Sequence, residues 1–206
     1  MARGQLLAVG VVVAVLVALL ARQTRAVDIG FGSCPEKAVV QNFDVDRYMG
    51  EWYEAERFWQ IFELNGKCSK ALYALNATTG QVSVKNSMVD TWSKQDKSIE
   101  GYAELVDPTA SPLEAKLTVT FKVPVVGEQK APYWVLDTDY TNYALVYSCS
   151  TPFNLFRTES AWILTRAAAV SDAVQQDIEK AISKANINRR SFQKTAQDCE
   201  DGVRQH

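Results

Sequence analysis

Few side chains in this sequence are equipped for acid–base or nucleophilic work. The one histidine is His206, the last residue. No Ser/His/Asp or Cys/His pair can be built around it, and a base titrating near neutral pH is missing. Glu54 and Glu56 share one face of a period-two segment, a pattern that reads as a solvated or structural pair. Cys34, Cys68, Cys149 and Cys199 are widely spaced. None sits in a Cys-x-x-Cys or Cys/His cluster, so no zinc or redox ligand set is expected. An even cysteine count in an exported chain points to disulfides, with three connectivities open. Asn76-Ala77-Thr78 is an N-glycosylation acceptor in an apparent turn. The chemistry on offer is stapling and surface decoration, and the chain reads as a non-enzyme.

Export is read from the start of the chain. Arg3 precedes an apolar run from Leu6 to Ala21, which is followed by Thr24 and Ala26 at the small-residue positions of a cleavage site. A retained anchor is the alternative, but spanning a bilayer takes about 18 or more apolar residues and this run is shorter. Residues 1–26 are therefore expected to be a secretory signal peptide and 27–206 a single domain. Losing Arg3, Arg22 and Arg25 with the leader leaves 19 basic against 24 acidic residues. That mild acidity, without a Lys/Arg cluster, argues against a nucleic-acid partner. The C-terminus from Cys199 to His206 is polar, so a lipid-anchor signal is not expected and the protein should be released outside the cell.

The elements that must position any site are mostly strands. Lys116–Val123 alternates cleanly, with Leu117, Val119, Phe121 and Val123 on one face and Lys116, Thr118, Thr120 and Lys122 on the other. Weaker versions recur near 51–59, 68–75, 81–90, 97–105, 132–137, 143–149 and 160–166. Turn residues separate them: Asn76 to Gly80, Asp107-Pro108, Gly127, and Asp139 with Asn142. Eight short strands at this spacing predict an antiparallel sandwich or barrel. The period then changes. Val170, Val174, Ile178, Ala181, Ile182 and Ala185 recur at helical spacing, with Asp172 as a cap and Gln175 three residues on. An eight-stranded barrel is just wide enough to be filled by side chains or to hold one small ligand.

Three segments carry a family resemblance. Gly50-Glu51-Trp52-Tyr53 opens the first strand, Thr138-Asp139-Tyr140 leads into Tyr143 to Cys149, and Ala161-Trp162-Ile163-Leu164-Thr165-Arg166 closes the last strand. In this order and at these distances they resemble the signatures of the lipocalins. Asn42 to Val45, Asn65 to Cys68 and Pro132 to Val135 are similar to the apolipoprotein D and insect Lazarillo branch, related to bilin-binding lipocalins. The resemblance covers essentially all of 33–199.

That resemblance implies an all-β, eight-stranded antiparallel up-and-down barrel with one C-terminal α-helix packed outside. It implies bridges Cys34–Cys149 and Cys68–Cys199, and structural roles for Gly50, Trp52, Asp139, Tyr140 and Arg166, with the Arg166 guanidinium stacked on Trp52 at the closed base. It places Tyr73, Asn86, Met88, Phe121, Tyr133 and Trp162 in the cup as ligand-binding residues, against the alternative that these aromatics simply fill the barrel. Related chains often carry a carboxylate near Met88, so this cup should be more apolar. No catalytic cofactor or metal is implied; the ligand would be a bilin, retinoid, steroid-like molecule or lipid. The segment Phe58-Trp59-Gln60-Ile61-Phe62 is too apolar for an ordinary loop and is expected to cap the ligand or touch a membrane or lipoprotein, unless it packs on its neighbours. Val123-Pro124-Val125-Val126 shares that ambiguity. The competing function is an interaction protein that uses its mouth loops, with the barrel as scaffold.

Overall fold

A computed structural model describes residues 28–60, 65–152 and 155–199. Residues 1–26, where a signal peptide is expected, and Ile61, Phe62 and His206 lie outside the described residues. The strands are β1 (Asp28–Phe31), β2 (Gly50–Phe58), β3 (Gly66–Leu75), β4 (Val82–Asp90) and β5 (Asp96–Leu105), followed by β6 (Lys116–Val123), β7 (Gly127–Thr138), β8 (Tyr143–Ser150), β9 (Phe156–Thr165) and β10 (Phe192–Lys194). A short helix α1 (Val45–Tyr48) precedes β2, and α2 (Asp172–Lys184) follows β9. Neighbours in sequence pair antiparallel from β2 to β9, and β9 pairs back onto β2. The eight-stranded barrel is thus closed.

Alternation decides which side chains face inward. Along β2, Trp52, Glu54, Glu56 and Phe58 are buried while their neighbours are partly exposed. β8 departs from alternation, with Tyr143, Ala144, Leu145, Val146 and Tyr147 all buried. Its outer face is covered by α2, so both faces are removed from water and the strand reads as a continuous apolar run. The helix lays Ile178, Ala181 and Ile182 into that contact. Its cap is Ser171, whose side chain accepts from Val174 N–H, so the cap lies one residue earlier than the sequence places it.

Three short elements were not expected from pattern: β1, α1 and β10. The two strands are edge additions. β1 lies against the first residues of β9, and β10 against Glu56 to Phe58 of β2. β2 pairs with β3 only from Gly50 to Tyr53 and then leaves it, and the C-terminal segment enters the gap. There Thr195 N–H donates to Ala55 O (2.9 Å) and Cys68 N–H to Ala196 O (2.7 Å). Gln197 Nε2 bridges Glu54 O (2.9 Å) and Ser69 O (3.0 Å). Disulfides Cys34–Cys149 and Cys68–Cys199 join residues 115 and 131 apart in sequence. Closing loops of that length contributes about 4–5 kcal/mol each on the chain-entropy account.

Candidate functional site

One end of the barrel is shut by side chains. Trp52 is fully buried, and its Nε1 donates to Tyr48 O at 2.9 Å. The Arg166 guanidinium lies over the Trp52 ring, 3.6 Å from its centroid. Its nitrogens also donate to Tyr140 O (3.2 Å), Glu51 O (2.8 Å), Arg47 O (3.0 Å), Tyr48 O (3.3 Å) and Met49 O (2.8 Å). Several of those carbonyls end α1, where helix geometry leaves them without intrahelical donors and a cation is favourable. Gly50 has φ +95°, and a Cβ there would sit 3.3 Å from Arg166 Nη1. A side chain would be both strained and in the way of the guanidinium.

The 139–142 turn completes this end. Asp139 Oδ1 accepts from the N–H groups of Thr141 (3.0 Å), Asn142 (2.7 Å) and Tyr143 (3.1 Å). Partial burial raises the Asp139 pKa, but hydrogen bonds from Asn142 and from those backbone groups outweigh it and hold the carboxyl below its ordinary value. The Tyr140 hydroxyl accepts from Asp44 N–H at 3.1 Å, tying the turn to the N-terminal coil.

Above this floor the barrel encloses a cavity of about 650 Å³. Tyr73, Asn86, Met88, Phe121, Tyr133 and Trp162 all line it, together with Leu117, Val119 and Val146. The six candidate residues come from β3, β4, β6, β7 and β9, so almost the whole wall contributes. At the bottom, the Tyr133 hydroxyl lies 2.8 Å from that of Tyr48 and 3.0 Å from that of Tyr73. The three phenols form a hydrogen-bonded chain, with Tyr48 and Tyr73 buried and Tyr133 half-buried. Burial, then the mutual repulsion of their charged forms, pushes Tyr48 and Tyr133 well above the ordinary value. Burial takes Tyr73 up to about 12. All three stay neutral donors and acceptors across the physiological range.

Glu54 and Glu56 are not solvated. Both are buried, and each is paired with a cation: Arg57, three residues on along β2, with Glu54, and the distant Arg189 with Glu56 at 2.6 and 3.0 Å. Thr195 Oγ1 also donates to Glu54 at 2.6 Å. These partners are structural, closing the seam where β2 leaves β3.

The expected mouth loop is only partly at the mouth surface. Phe58 is buried edge-on against Phe192, ring centroids 4.8 Å apart, Gln60 Nε2 donates to Ser160 Oγ at 2.6 Å, and Trp59 is half-buried. For Phe58 packing on neighbours wins, because β10 supplies an apolar partner that strand periodicity does not reveal, while Ile61 and Phe62 lie outside the described residues. The exposed apolar side chains at this end are instead Phe31, Trp92, Val125, Val126 and Leu155. They stand at or beside the β4–β5, β6–β7 and β8–β9 turns and the end of β1, all opposite the Trp52 end.

Sequence reasoning missed Tyr48, Glu54 and Ser69 as cup residues. Tyr48 was signalled by its place two residues before Gly50. Ser69 shares the inward parity of Tyr73 on β3. Among the described residues, no helix is long and apolar enough to cross a membrane, and no cysteine is free.

Comparison with known proteins agrees with this geometry. The lipocalin-like domain model matches residues 43–197. Apolipoprotein D of Macaca fascicularis is 36% identical over 171 residues, covering 81% of this chain and 84% of that protein. The Lazarillo protein of Schistocerca americana is 30% identical over 169 residues, covering 81% and 75%. Among solved structures, insecticyanin from the tobacco hornworm Manduca sexta superposes with a TM-score of 0.73 at 26% identity, covering 84% of this chain and 89% of that one. With these matches the chain is a binding protein and not an enzyme. From the closed barrel, the Trp52–Arg166 base and the family model that spans most of its length, it belongs to the lipocalin family.

Proposed function

We propose that this chain is a secreted carrier that binds and transports a small hydrophobic ligand in the barrel cup. The observation that carries the reading is the cavity of about 650 Å³ walled by Phe121, Trp162, Met88 and aliphatic side chains, with a few polar groups among them. Cavities of this size and character suit one drug-sized apolar molecule, oriented at one or two hydrogen-bonding points. Tyr73, Tyr133 and Asn86 supply such points. A retinoid, a steroid-like molecule, a lipid or a bilin pigment fits the class, and Met88 in place of a charge favours the less polar of them.

Export is consistent with the two disulfides and with the leader-like residues 1–26. Asn76 is exposed in the β3–β4 turn, its Oδ1 accepting from Thr78 N–H (3.0 Å) and Thr79 N–H (3.3 Å), a surface position suited to glycosylation. The exposed apolar side chains around the mouth suit transient contact with a membrane or lipoprotein surface, where an apolar ligand could pass without crossing water. The rival reading, a scaffold that binds proteins through these loops, needs no hollow interior.

The test is to purify the protein from culture medium without denaturants, record its absorption spectrum and extract it with organic solvent for mass spectrometry. A stoichiometric apolar molecule supports the carrier. A protein that yields none, and binds none of a panel of retinoids, steroids, fatty acids and bilins, is a scaffold.

A further inference from the structure

One row of polar atoms in the cup is unlike the rest of its lining. Ser69 is only 8% exposed and faces the cavity, yet its Oγ has no hydrogen-bond partner among the described residues. Asn86 Oδ1 is buried in the same wall and is likewise unpartnered. Buried polar atoms are nearly always paired, so two orphans in one wall call for an explanation. The floor gives the contrast: its three tyrosine hydroxyls satisfy one another.

Strand register brings these groups together with a third. Asn86 on β4 lies opposite Ala71 on β3, whose inward neighbour two residues earlier is Ser69. Tyr53 on β2 lies opposite Lys70, which puts Glu54 beside Ser69 at the point where the strands part. Gln197 fixes that spacing from behind by holding the carbonyls of both Glu54 and Ser69. The Glu54 carboxylate uses Oε1 for Arg57 and Thr195, while Oε2 accepts no hydrogen bond among the described residues. Three adjacent strands therefore bring unfilled acceptors to one side of the cup.

We propose that Glu54, Ser69 and Asn86 form a polar subsite that receives a hydroxyl group carried by an otherwise apolar ligand. This rests on the carrier reading and narrows its ligand class. A hydroxyl both donates and accepts. It can donate to Asn86 Oδ1 or Glu54 Oε2 and accept from the Ser69 hydroxyl, and it serves the Asn86 amide in either orientation. A keto or ether oxygen only accepts and leaves acceptors of the row unpaired. A carboxylate brings a second anion against Glu54. An ammonium adds a cation to a carboxylate that Arg57 already neutralises.

The experiment is a calorimetric titration of the full chain, stripped of any co-purified molecule, with dodecanol, methyl dodecyl ether, dodecanoate and dodecylammonium at neutral pH. Dodecanol should bind tightest, about tenfold tighter than the ether, the difference a buried hydrogen-bonded hydroxyl produces. Ser69→Ala should cut that preference about threefold, and Ser69→Ala with Asn86→Leu should bring the two ligands close to parity. The single variant carries the test if the double variant loses its β-sheet circular dichroism. Equal binding of alcohol and ether by wild type overturns the subsite and leaves the carrier standing. So does tighter binding of the carboxylate or the ammonium, or an alcohol preference that survives both substitutions. If wild type binds none of the four, nor retinoids and steroids, the subsite falls together with the carrier.

Discussion

The two ends of this barrel are built on opposite principles. At the Trp52 end, backbone carbonyls freed by α1 and the neighbouring turns are answered by the Arg166 guanidinium, the indole is fully buried, and the tyrosine hydroxyls bond to one another. At the other end β2 and β3 part, a C-terminal segment is needed to fill the gap and apolar side chains face outward, while in the cup wall between the two ends buried polar atoms lack partners. One end is satisfied within the protein, while the other and the cup wall have apolar and polar groups left to meet a surface or a ligand. A carrier needs this asymmetry, because a barrel satisfied at both ends has no reason to bind anything and one open at both ends has no rigid floor.

The comparison is broken most severely at the staples. Cys68→Ala with Cys199→Ala should cost about 4–5 kcal/mol in denaturant unfolding on the chain-entropy account. Hydrogen exchange then separates the ends: the amides of Cys68 and Thr195, which hold the C-terminal segment in the seam, should lose protection, and those around Trp52 should keep it. Equal loss at both ends would make the barrel one cooperative unit and remove the distinction.

The floor is tested directly by Trp52→Ala, with an expected loss of about 3–5 kcal/mol for a buried aromatic. Arg166→Ala should also be strongly destabilising, because five carbonyls lose the guanidinium as donor, of which that of Tyr48 keeps the Trp52 indole. A loss below about 1 kcal/mol in urea titration for either variant would show that the floor is not a stability centre.

A third test uses alkali. Tyr73 is pushed up to about 12 by burial, and Tyr48 and Tyr133 rise with it, so the folded chain keeps phenol protons that the unfolded chain sheds near pH 10. Their stabilisation is complete below about pH 10 and is lost as pH rises towards the folded value. Spectrophotometric titration should show these three tyrosines, and Tyr143 with them, ionising late, together with unfolding, and Tyr133→Phe should remove one tyrosine from that late absorbance change. Ionisation of all eight tyrosines near pH 10 in a folded chain would place the trio in water.

The smallest effect belongs to the mouth. Trp92→Ser with Val126→Ser should leave the melting temperature nearly unchanged, since both side chains are exposed. Sedimentation with phosphatidylcholine–phosphatidylserine vesicles should show about tenfold weaker partitioning, the loss of roughly 1.4 kcal/mol of apolar contact. Unaltered partitioning would remove the rim from any lipid contact.

The sequence made the barrel legible because period-two alternation and turn residues are local signals, and α2 stood out for the same reason. What escaped depended on partners far along the chain. The pattern of Glu54 and Glu56 leaves solvated and structural roles open until Thr195 and Arg189 arrive from 141 and 133 residues away and decide for the structural one. Phe58 looks exposed until Phe192 covers it. β10 has three residues and no periodicity of its own; it exists because β2 leaves β3 there. The cup was legible in part: the aromatic positions are fixed by parity from the signature segments, whereas Tyr48 enters from the coil before the first strand, where no repeat marks its direction.

The central claim is that the cup holds an apolar ligand against Trp162. It is tested most directly by titrating wild type and Trp162→Ala with retinol, following tryptophan emission and confirming the fold by circular dichroism. The account predicts saturable one-to-one quenching in wild type. In the variant, calorimetry should show weaker retinol binding, within a total loss of about 3–5 kcal/mol shared between affinity and stability. Unquenched wild-type emission with no heat of binding, or a folded variant that binds retinol as tightly as wild type, would contradict it.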